Sequence, residues 1–64
     1  MNIKFDKETD IIYLKFSDKE VFQSDEDKPG VIIDYDIEGN IVGIEILDAS
    51  KKTVNPSSIV YEVA

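Results

Sequence analysis

Cysteine, histidine, tryptophan and arginine are all missing from the 64 residues. Without Cys there is no disulfide framework and no thiol nucleophile, and without Cys and His no zinc site of the usual kind. No side chain has an unperturbed pKa near neutrality, and a Ser or Thr nucleophile would lack its histidine base. The three glycines, Gly30, Gly39 and Gly43, lie in turns or a strand rather than in a phosphate-cradling loop. An enzyme is not expected, and neither is a cofactor. The missing Arg also removes the bidentate fork that reads guanine. All seven cations are lysines (Lys4, Lys7, Lys15, Lys19, Lys28, Lys51 and Lys52), outnumbered by fourteen acids for a formal net charge of −7. Direct binding of nucleic acid or of an anionic membrane is therefore not expected. No cleavage-site pattern or membrane segment is spelled out, and the lack of cysteine fits a cytoplasmic location.

What is present is a real core. Hydrophobic residues make up 42% of the chain, too many for an acidic disordered tail. The length allows a single domain over residues 1–64. Domains near this size bury only about 60% of their unfolded surface. With no covalent or metallic staple, the remaining stabiliser is association, so a homodimer is expected. The excess of acid keeps copies soluble and steers the molecule toward a basic partner protein.

Hydrophobic alternation has period two almost throughout. Residues 2–6 and 10–16 read as two strands joined by a polar turn, with Ile12, Leu14 and Phe16 on one face against Ile11, Tyr13 and Lys15. Residues 17–20 form a second turn. Residues 21–24 make a short strand that runs into an acidic loop, 25–28, punctuated by Pro29-Gly30. Residues 31–37 and 40–47 flank Glu38-Gly39, which reads as a two-residue hairpin turn. That centring pairs Tyr35 with Val42, Ile33 with Ile44 and Val31 with Ile46 on one face, and a one-residue slip would mix Asp34 among them. The other face carries Ile32, Ile41 and Leu47 and is too apolar to be fully wet, so a tail or a second subunit should cover it. Asp48 can cap one helical turn with Lys51 and Lys52 at its negative end. Residues 57–64 are rich in β-branched residues and favour a strand, although Asn55-Pro56 can also open a helix. The predicted architecture is mainly β, a small antiparallel meander of five to six short strands with at most one short helical turn. An α+β variant stays open at the tail.

Candidate sites follow from charge and alternation. Asp25, Glu26 and Asp27 form a solvated acidic run suited to a basic partner, and Tyr13, Ile32, Ile41 and Leu47 are amphipathic or apolar positions suited to an interface. Asp6 and Asp10 are expected to accept backbone amides within the first turn. The stretch Asp34 to Glu45 spells a near-match to a calcium loop, with acids at loop positions 1, 3, 5 and 12 (Asp34, Asp36, Glu38, Glu45) and glycine at 6. A calcium loop of that kind sits between helices, whereas both flanks here alternate as strands. Calcium binding is therefore the alternative, beside a purely structural homo-oligomer.

The opening Lys4-Phe5-Asp6-Lys7-Glu8-Thr9-Asp10-Ile11-Ile12-Tyr13 resembles the start of the bacterial proteins grouped as domain of unknown function 2283. So does Pro29-Gly30-Val31-Ile32-Ile33-Asp34-Tyr35-Asp36, continuing through Gly39-Asn40-Ile41-Val42-Gly43-Ile44-Glu45-Ile46-Leu47-Asp48-Ala49-Ser50. The resemblance covers nearly all of the chain up to Lys52. It implies a small bacterial or phage-associated protein with no assigned activity and no catalytic residues to carry over. Its members' frequent place beside small toxins implies an antitoxin-like role. Phe16 and Phe22 depart from the family pattern and read as core substitutions.

Overall fold

Alternating sequence becomes ladder wherever a polar or glycine-bearing turn lets the chain reverse. The computed structural model describes residues 1–52. Within them lie strands β1 (Asn2–Asp6), β2 (Ile11–Lys15), β3 (Gln23–Lys28), β4 (Val31–Tyr35) and β5 (Ile41–Ile46), and one helical turn, α1 (Ala49–Lys52). The expectation for residues 57–64 lies outside the described residues. The strands form one antiparallel sheet in the order β1-β2-β5-β4-β3. The class is the mainly-β one that the alternation predicts, with one addition. Strands β3, β4 and β5 follow one another as a meander, but β5 docks on β2, so residues 16–22 must pass from β2 across the β4–β5 turn end to reach the far edge.

The register puts the apolar stripe on one face. Phe5 pairs with Ile12, Ile12 with Ile46 and Ile46 with Val31; Ile3, Leu14, Ile44 and Ile33 form the next row. Of the described hydrophobic residues only Ile12, Val42 and Ala49 are buried.

Three details differ from the sequence reading. The acidic run is not a loop: Asp25, Glu26 and Asp27 lie inside β3, because β4 offers a ladder that even poor strand formers can join. The β4–β5 turn is longer than two residues. Gly39 N–H donates to Asp36 C=O at 3.1 Å and Asp36 N–H to Asn40 C=O at 2.9 Å, with Gly39 at φ 86°. That is a three-residue loop, Ile37-Glu38-Gly39, whose left-handed position glycine fills without strain. The longer loop then shifts the register: Val31–Ile46 and Ile33–Ile44 pair as expected, but Tyr35 faces Ile41 rather than Val42. Val42 is the extra residue of a bulge, and its carbonyl accepts from Phe16 N–H at 2.7 Å. Phe16 and Phe22, finally, are exposed rather than core, at 43% and 66% of their surface.

Candidate interaction surface

Among the described residues strand β3 is an edge: it has a ladder partner only in β4, and all six of its residues are exposed. Its acids sit in differing surroundings. Both Asp25 oxygens accept from Gln23 Nε2, at 3.0 and 3.1 Å, and Glu26 Oε2 accepts from Gly30 N–H at 3.2 Å. Asp27 falls at a register shift between Glu26 and Lys28. By register Asp25 follows Ile33 onto the apolar face and Glu26 follows Ile32 onto the other, so negative charge lines both sides of the edge.

The remaining interface candidates scatter. Tyr13 is half-buried between Lys4 and Glu45 on neighbouring strands, and Ile32 is half-buried between Glu45 and Glu26. Ile41 is exposed at the start of β5, opposite Tyr35. Leu47 lies past the other end of β5, where its N–H donates to Gly30 C=O at 2.8 Å. These four do not form one patch with the acidic edge.

The calcium-loop candidates are spread along the hairpin. Glu45 pairs with Ile32, four residues from Asp36, which places their backbones about 13 Å apart at ~3.3 Å per residue. Asp36 is buried and serves its own turn: Oδ1 accepts from Glu38 N–H and Asn40 N–H, both at 2.9 Å. Glu38 is exposed and holds Lys19 at 2.9 Å. Among the described residues no three acids converge as a metal cluster. Asp34 and Glu45 do meet, diagonally across β4 and β5. Partial burial, then a hydrogen bond to Asp34 and its negative charge, hold the Glu45 carboxyl above its ordinary value of 4.5. Ser24 Oγ donates to Asp34 Oδ1 at 2.6 Å.

Sequence reasoning missed two features. Asp6 accepts within its turn, from Glu8 N–H at 3.0 Å and Thr9 N–H at 3.4 Å, but Asp10 does not. Asp10 reaches α1, taking Ser50 N–H at 3.0 Å, Ser50 Oγ at 2.7 Å and, through its carbonyl, Ala49 N–H at 2.9 Å. Nothing local announces a contact that spans 40 residues. The second is an exposed apolar group at one end of the sheet. Val21, Phe22 and Ile37 line one open concavity of about 460 Å³ together with Lys19, Glu20 and Glu38. The signal was available as Phe22 and Ile37 at strand ends, but alternation alone assigns such residues to a core.

Fold and surface together define a small acidic β-sheet module built on a crossed-over antiparallel sheet. The family model described as protein of unknown function (DUF2283) matches residues 2–50, and the chain belongs to that family. No curated protein and no solved structure matches the chain. Among the described residues no helix is long and apolar enough to cross a membrane.

Proposed function

We propose that this protein is a non-enzymatic interaction module of the cytoplasm that docks a basic partner protein along β3, in the manner of an antitoxin. The observation that carries the reading is the edge itself: a strand exposed along its whole length, paired on one side among the described residues, and bearing three consecutive acids. An open edge offers backbone donors and acceptors to an added strand, and the acids select the charge of what may add. The thin core supports a homodimer as the working form, since few described side chains are buried.

The test is co-expression with the product of the adjacent gene, followed by co-elution at low and high salt. A complex that forms with the wild type and weakens both in salt and in the D25N/E26Q/D27N variant supports the reading. A complex indifferent to both, or none, overturns it. Sedimentation of the protein alone reads the homodimer directly.

A further inference from the structure

The crossing segment 16–22 and the β4–β5 turn meet at one end of the sheet, and there the molecule leaves large apolar side chains in water. Ile37 is 76% exposed, Phe22 66% and Val21 46%, and the three line one concavity. Apolar residues scattered singly need no explanation; a contiguous set does. Phe22 and Ile37 line two adjoining concavities, one with Val21, Glu20 and Glu38, the other with Tyr35 and Asp25. The second joins the apolar group to the acidic strand. Phe22 N–H donates to Tyr35 C=O at 2.7 Å, so the ladder that begins at Phe22 continues into β3.

The charge around this group decides what can cover it. Glu20, Glu38 and Asp25 rim it, and among the described residues lining the two concavities the single cation, Lys19, is engaged by Glu38 at 2.9 Å. A second copy would bring the same acids, and a net charge of −7, against this rim. Like charges at an interface are costly. An apolar side chain flanked by lysines or arginines has the complementary character.

We infer that Phe22 and Ile37 form a docking groove for an extended peptide segment of a partner protein, one that adds to the β3 edge, sets an aliphatic or aromatic side chain between these two residues and carries cationic side chains past Glu20, Glu38 and Asp25. This rests on the proposed function and specifies the partner's chemistry. An alternating sequence is required, because successive residues of an added strand point to opposite faces.

The probe is a fluorescein-labelled decapeptide alternating leucine with lysine, titrated by anisotropy against the full chain. The controls replace leucine by serine, or lysine by glutamate. The wild type should bind the leucine–lysine peptide and neither control. F22S/I37S should weaken that binding about tenfold or more, the scale expected for losing one buried apolar side chain. I37S alone, at the more exposed position, provides a variant whose fold the change does not reach, and a thermal melt checks both. Equal binding by the wild type and both patch variants overturns the groove while leaving co-elution with the neighbouring gene product to judge the proposed function. Equal binding of the leucine–glutamate peptide overturns the charge selection, and no binding of the leucine–lysine peptide overturns the inference entirely. Loss of a concentration-dependent dimer in F22S/I37S would show that a second copy occupies the groove, and would overturn it too.

Discussion

Asp36 shows how one side chain fixes a hairpin. Its carboxylate is buried and takes two backbone amides of the turn that it begins. Asp36→Ala strands both donors, so a loss of about 1–3 kcal/mol is expected in urea unfolding, and Asp36→Asn, which keeps an acceptor, should lose less. Equal stability of the alanine variant would remove the turn from the account. Gly43 is the steric counterpart. A Cβ there would stand 2.7 Å from the Leu14 carbonyl oxygen, and backbone yields poorly. Gly43→Ala should cost about 1–3 kcal/mol, the range for overpacking. Glu45 supplies a pH dependence. A carboxyl whose folded pKa is raised gives stability fully present below its unfolded value and lost as pH rises through its folded value. Burial and the Asp34 carboxylate raise Glu45 above 4.5, so E45Q and wild type should melt together below that pH. Above it the wild type should fall behind as Glu45 ionises. Parallel melting curves across that window would show that the pair carries no linkage.

Among the elements, the strands were the legible part. Alternation alone located β1, β2, β4 and β5, since each places apolar residues on a face that the sheet then buries. It placed the third strand at 21–24 and stopped short of the acids, where Gln23–Lys28 form β3 only because β4 supplies the partner. It also failed at the bulge, where Asp36 rather than glycine alone determined loop length and carried Ile41 across to Tyr35. Of the candidate surface, the acidic run was legible from composition. The Phe22 and Ile37 groove was not, because a crossover between non-adjacent strands brings residues 21 and 37 together and periodicity says nothing about strand order. The contact from Asp10 to α1 is non-local in the same way. Asp10→Ala should leave the sheet folded while the Ser50 amide, which donates to the carboxylate, loses hydrogen-exchange protection; the Ala49 amide donates to the backbone carbonyl, which alanine keeps. Unchanged protection at Ser50 would mean that α1 is held by something else.

For the whole molecule, charge and edge are one problem. An exposed edge strand invites pairing with its own kind, and β3 carries acids that deter it. The D25N/E26Q/D27N variant should therefore assemble beyond a dimer at concentrations where the wild type does not, which light scattering reads directly. Monodisperse behaviour in both would assign the acids to partner selection alone.

The two ends of the sheet are unlike. At one, α1 touches the first turn through Asp10 and the third through Lys52, whose ammonium donates to the Leu47 carbonyl beside Gly30. At the other, the crossing segment is tied by the Phe16 and Ser17 amides to Val42, by Phe22 to Tyr35 and by the Lys19–Glu38 ion pair. Such a ribbon is stitched along both hems, and only the lower leaves its largest apolar threads bare. Whatever settles where Phe22 and Ile37 stand should be felt as a slower unravelling of the whole cloth.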